Sequence, residues 1–67
     1  MNTPSSLTRR ESEVLGLVAA GHSNKAIGSA LGMSERTVAR HITNIYSKIG
    51  MHTRAAATAY AIRHRLS

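Results

Sequence analysis

Apolar residues recur at helical spacing in four segments of the chain, each bracketed by residues that start or stop helices. Val14, Leu17 and Val18, with Leu15 beside them, form the first segment. Thr8 stands three residues before Glu11, the spacing of a capping box, which predicts a helix beginning near Arg9. Gly21 is placed to end it in a left-handed cap. Gly16, inside this helix, costs roughly 1 kcal/mol against alanine, and a close contact with another helix would account for it. A second, short helix is expected from a cap at Ser23 or Asn24 to about Leu31, with Ile27 and Leu31 on one face. Gly28 and Ala30 are small enough to admit a crossing helix, and Gly32 ends the segment. Met33 and Ser34 complete a three-residue turn, and Ser34 is a good N-cap for a third helix.

The third helix, Glu35 to about Ile49 and ended by Gly50, separates its faces most clearly. At about 100° per residue, Val38, Ile42, Ile45 and Ile49 line one side, with Tyr46 at its edge. Arg36, Arg40, Thr43, Asn44 and Ser47 fall opposite, and Thr37, His41 and Lys48 lie on a flank. No acid follows Glu35 in this helix, so its outer face is positive throughout. A fourth helix is expected after a cap at Thr53, running to about Arg65. Four alanines in the five residues from Ala55 to Ala59 leave little bulk there and suggest close helix–helix contact. No strand pattern, internal repeat or long linker interrupts the series. The reading is an all-α, four-helix domain over residues 7–67, preceded by a flexible polar segment, 1–6.

Charge adds a partner to this outline. Nine Lys and Arg stand against three acids, a net charge of +6 in 67 residues, which points to a polyanion. Two tyrosines without Phe or Trp give almost nothing on which unpaired bases could stack, so RNA and single strands fit poorly. Duplex DNA read by a helix in a groove needs no such platform. A chain this short buries only about 60% of its unfolded surface, and it has no cysteine to staple it or to hold zinc. The apolar stretches are far short of the ~20 residues of a membrane span, and the N-terminus lacks the pattern of a signal peptide. These features allow a reducing, intracellular setting.

Two helices joined by a short Gly-containing turn make the helix-turn-helix unit, here about Ser23 to Ile49. The second helix of such a unit enters the major groove and offers its N-terminal half to base edges. Arg36 and Arg40, one turn apart on the outer face, suit guanine; Thr43 suits a thymine methyl or a phosphate. Thr37, His41 and Lys48 are better placed for the phosphate backbone. So are Ser23, Asn24 and Lys25, which begin a helix whose free NH groups favour anions.

Taken in order, six stretches resemble the DNA-binding domain of the LuxR/FixJ family. They are Leu7-Thr8-x-Arg10-Glu11-x-Glu13-Val14-Leu15, Gly21-x-Ser23-Asn24-Lys25-x-Ile27, Leu31-x-x-Ser34, Thr37-Val38-x-x-His41, Asn44-Ile45-x-x-Lys48-x-Gly50 and Arg54-Ala55-x-Ala57. The resemblance implies sequence-specific binding of double-stranded DNA for regulation of transcription, with the third helix in the major groove. It implies base-facing roles at Ala39, Arg40 and Thr43, and phosphate or backbone-side roles at Thr37, Lys48 and Arg54. It also implies a homodimer on DNA through the fourth helix, expected at Ala56, Ala59, Tyr60 and Arg63. RNA polymerase is a further candidate partner, and the same resemblance implies a bacterial, cytoplasmic, nucleoid-associated location. Two departures stand out. The family's basic residue after the Thr-Val pair is Ala39 here, with Arg40 next, about 100° further round the helix. Gly28 stands where the family usually has Ala, a slight weakening of the helix.

Each assignment has a plainer alternative. Arg36, Arg40, Lys25 and Lys48 can simply solvate exposed faces, His41 can be a packed flank residue, and the alanine-rich helix can pack on its own domain. Glu11 reads as a cap without a second carboxylate for acid–base work. His22, His52 and His64 lack metal-ligand spacing. No nucleophile–base pair or Walker-type loop is present, since Gly21-His22-Ser23-Asn24-Lys25 lacks the required Gly-Lys-Ser/Thr order. The expectation is therefore not an enzyme, with no cofactor, metal, membrane or small-molecule ligand. A helical module docking an acidic protein, and a promoter-reading sigma-type helix-turn-helix, are the competing readings.

Overall fold

The computed structural model describes residues 7–65; the expected flexible segment 1–6 and the last two residues lie outside it. Four helices succeed one another: α1 (Arg9–Ala19), α2 (Asn24–Leu31), α3 (Glu35–Ile49) and α4 (Arg54–Arg63). Among the described residues there is no strand.

Each helix starts on a hydroxyl. Thr8, Ser23, Ser34 and Thr53 accept from the amides of Glu11, Ala26, Thr37 and Ala56, at 3.0 to 3.1 Å. The Glu11 carboxylate in turn accepts from the Thr8 amide at 2.9 Å, which completes the capping box. The ends differ. At α1, Gly21 takes a positive φ of 95° while the His22 and Gly21 amides donate to the Leu17 and Val18 carbonyls. This Schellman pattern satisfies carbonyls the helix itself leaves unpaired. Gly32 and Gly50 close α2 and α3 in the same left-handed region, each with φ 71°. α4 has no glycine to stop it. It ends at Arg63, short of the expected Arg65, because Arg65 itself adopts a left-handed φ of 60° and its amide closes a turn on the Ile62 carbonyl.

α1 is the hub. α2, α3 and α4 all pack on it, and α2 packs on α3. The core comprises Leu7, Val14, Leu15 and Val18, then Ile27, then Val38, Ile42 and Ile45, and finally Ala57 and Ala61. Ile49, Tyr46, Leu31 and Met33 pack around its rim. The short α2 adds one large buried side chain, and the turn after it sets the course of α3.

Gly28 has a different reason from the one its size suggested. It is buried, but what lies over it is the backbone of the turn, not a crossing helix. A Cβ built there would run into the Met33 carbonyl oxygen, nearer than Cβ atoms approach. The Met33 amide meanwhile donates to the Gly28 carbonyl at 2.9 Å, so the turn folds directly back over this residue. Ala30 is exposed and admits no crossing helix.

Candidate nucleic-acid interface

The outer face of α3 is set by its inner one. Burying Val38, Ile42 and Ile45 turns Arg36, Ala39, Arg40, Thr43, Asn44 and Ser47 to the exterior, and all six are exposed. The chain has three acids, and two of them are paired elsewhere: Glu13 with Arg10 at 3.6 Å and Glu11 with Lys48 at 2.8 Å. Among the described residues no carboxylate pairs with Arg36 or Arg40.

Three hydroxyls at or within the first turns of this helix, Ser34, Thr37 and Thr43, are already engaged locally. Ser34 caps the helix and also donates to the Thr37 hydroxyl at 3.0 Å. Thr43 donates its hydroxyl to the Ala39 carbonyl one turn back, at 3.1 Å. His41 is half-buried beside this face. Near the C-terminal end of α3, Thr43, Tyr46, Ser47, Gly50, Met51 and His52 line an open groove of about 440 Å³.

Lys48 stands apart from the other cations. Its ammonium makes two bonds to the Glu11 carboxylate, 2.8 and 3.0 Å, across 37 residues of sequence. The Glu11 side chain is only 8% exposed, whereas that of Lys48 is 37% exposed. Glu11 thus serves twice, capping α1 and fixing the last turn of α3. The Lys48 ammonium, together with the Thr8 amide, holds the carboxyl below its ordinary value of 4.5 and outweighs the opposing effect of burial.

A second cluster of predicted residues meets at the starts of α2 and α4. Arg54 donates to the His22 carbonyl at 2.5 Å and, through its other terminal nitrogen, to the Asn24 side-chain oxygen at 3.4 Å. This brings Arg54 against the segment bearing Ser23, Asn24 and Lys25, although the Ser23 hydroxyl oxygen is taken up in capping α2. On α4, Ala59 and Arg63 are exposed while Ala56 and Tyr60 are half-buried. The Tyr60 ring lies 4.2 Å from that of His64. Sequence reading missed the partner of Lys48 and the Arg54 anchor, since neither has a local signal. Thr43's bond to Ala39 had one, a threonine hydroxyl within a helix, four residues after the carbonyl it can share with its own amide.

A two-helix unit with a tight turn, an exposed positive second helix and two supporting helices, α1 and α4, defines a helix-turn-helix DNA-binding domain. Comparison with known proteins agrees. The family model described as bacterial regulatory proteins, luxR family, matches residues 5–61, and the chain belongs to that family. The family is one of DNA-binding transcription regulators rather than a class of enzymes. Similar curated proteins include the transcriptional regulatory protein LiaR of Bacillus subtilis strain 168, 49% identical over 61 residues (91% of this chain, 29% of LiaR). DegU of Brevibacillus brevis is 47% identical over 58 residues (87% and 25%). The response regulator protein VraR of Staphylococcus aureus strain NCTC 8325 / PS 47 is 45% identical over 60 residues (90% and 29%). The chain therefore spans between a quarter and a third of the length of these relatives. No helix among the described residues is long and apolar enough to cross a membrane.

Proposed function

We propose that this domain selects a particular duplex sequence by laying α3 in the major groove, with Arg36, Ala39, Arg40 and Thr43 toward the bases. The observation that carries this reading is the outer face of α3: exposed, positive, and without a paired carboxylate among the described residues at Arg36 or Arg40. Arginine on guanine is the commonest specific major-groove contact. Phosphates on either side fall to Ser23, Asn24, Lys25 and Arg54 and to Thr37, His41 and Lys48. At Lys48 the bonds to Glu11 hold a side chain that is still 37% exposed, so it acts as a fixed rather than a searching charge.

The functional unit is a homodimer on paired half-sites, joined through the exposed side of α4 around Ala56, Ala59, Tyr60 and Arg63. It works inside the bacterial cytoplasm on the nucleoid, as the DNA-reading part of a transcription regulator that engages RNA polymerase. The relatives' printed names, transcriptional regulatory protein and response regulator protein, are in keeping with that role.

Selection from a random duplex library tests the reading. The wild type enriches a paired motif, and its affinity falls steeply with salt as phosphate-bound counterions are released. Arg40→Ala relaxes or changes one position of that motif, at a cost of about 1–3 kcal/mol at the preferred base. Uniform, salt-sensitive binding with no enriched sequence overturns the reading and favours an acidic protein partner.

A further inference from the structure

Thr43 lies one turn beyond Ala39 on the exposed side of α3, and its hydroxyl proton is already spent on the Ala39 carbonyl, at 3.1 Å. A side chain held this way offers its surroundings a different group from the one its name suggests. The hydroxyl is drawn back along the helix, and the γ-methyl is the one group of this exposed side chain with no hydrogen bond to make. Ala39, also exposed, contributes a second methyl on the same face. Arg36 and Arg40 place their charge to one side of these two methyls, about 60° and 100° round the helix from Ala39. The outer face of α3 is therefore divided into a small apolar strip and a guanidinium pair.

Resting on the DNA-reading role proposed above, we infer that Thr43 is a specificity-determining residue that reads the 5-methyl group of thymine through its own methyl, with Ala39 extending the same apolar strip. Among the groups in the major groove, only thymine presents a methyl, and small apolar side chains are its usual match. The family's basic residue is displaced from Ala39 to Arg40. That displacement leaves a long polar chain off this strip and keeps the methyls accessible. The competing role for Thr43 is polar: its oxygen retains lone pairs that can accept from an adenine or cytosine amino group. The two roles make opposite demands on the side chain. Valine keeps the methyl and discards the oxygen, whereas serine keeps the oxygen and discards the methyl. Because Thr43 is exposed, neither exchange disturbs the core.

The experiment takes the duplex selected by the wild-type chain and replaces each thymine in turn with uracil, which differs only by the missing methyl. Dissociation constants are measured for wild type, Thr43→Val and Thr43→Ser on each duplex. The wild type loses about fourfold at one thymine of each half-site, the value of one buried methyl-sized group. Thr43→Val keeps that thymine-to-uracil ratio, and Thr43→Ser reduces it to about one. If the wild type selects a motif but tolerates uracil everywhere, or if serine preserves the ratio and valine abolishes it, the methyl reading is overturned while DNA reading stands. If the wild type selects no sequence, both fall together.

Discussion

α3 and α4 each have a buried side and an open side, but they build them from opposite materials. α3 buries Val38, Ile42 and Ile45 and exposes long or polar side chains. α4 buries only Ala57 and Ala61 and leaves out a mixture of Ala55, Ala59, Ile62 and Arg63. A helix whose inner side is bulky declares its outer side by contrast. A helix whose buried side chains are alanines does not. The alanine run of α4 is in fact divided between two tasks, because Ala57 lies fully inside against α1 while Ala55 and Ala59 face out. Close approach to α1 accounts for part of the run, and only the remainder is available to a partner.

The largest effect expected from breaking this contrast is on the bulky side. Ile45 is 1% exposed, and Ile45→Ala opens a cavity worth about 2–5 kcal/mol. In a domain of this size that approaches the whole stability, so the variant unfolds at low denaturant. The counterpart on α4 is addition, not removal. Ala57 has no exposed surface, and Ala57→Leu forces α4 away from α1 at about 1–3 kcal/mol. Urea midpoints of both variants check the pair. An unchanged midpoint for Ala57→Leu means that α4 rests loosely on α1 and that its small residues serve some other purpose.

Next in size is the tie that holds the far end of α3. Glu11→Gln removes the charge that anchors Lys48 and weakens the cap of α1. The loss at neutral pH is about 1–2 kcal/mol, kept at the low end by the solvent around a Lys48 side chain that is 37% exposed. Its pH dependence has a definite sign. The folded carboxyl titrates below its ordinary value of 4.5, so the wild type is stabilised by this pair above that pH. The stabilisation fades as pH falls through the lowered folded value. Glu11→Gln removes that acid dependence, and the stabilities of the two proteins converge in acid. Parallel curves from neutral pH into acid, through and below the lowered folded value, would show that Glu11 contributes only as a neutral cap.

Sequence and structure part company along the line between local and distant interactions. The capping hydroxyls at Thr8, Ser23, Ser34 and Thr53 act within three residues, and so the starts of α1 to α4 are legible in the sequence. The face of α3 is legible because its period repeats over fifteen residues. The Glu11–Lys48 bond spans 37 residues and leaves no trace in either segment, where each residue has an adequate local role. Gly28 shows a subtler limit. A small residue in a helix signals something close by, but not whether it is a side chain, a helix or, as here, the carbonyl of the next turn. The end of α4 escapes a sequence reading because an arginine, not a glycine, takes the left-handed conformation at residue 65. The base- and phosphate-facing roles proposed for α3 and its neighbours rest on exposure and charge.

The smallest effect on stability carries the sharpest test of α4's open side. Ala59 is exposed, so Ala59→Glu leaves the folding free energy of the isolated domain within about 0.5 kcal/mol of wild type. A two-fold interface sets the same patch of both subunits against itself. In the proposed dimer each new carboxylate then faces the α4 surface of its partner, where its own copy also lies. Pairing two half-sites raises affinity about 10²–10⁴-fold over one, so disrupting the contact lowers binding to the paired site by up to about 100-fold, while binding to a single half-site is little changed. Titration of both duplexes with the variant separates the two quantities. Unaltered affinity for the paired site would place the dimer contact elsewhere, and would assign the outer alanines of α4 to no task beyond allowing the helix to form.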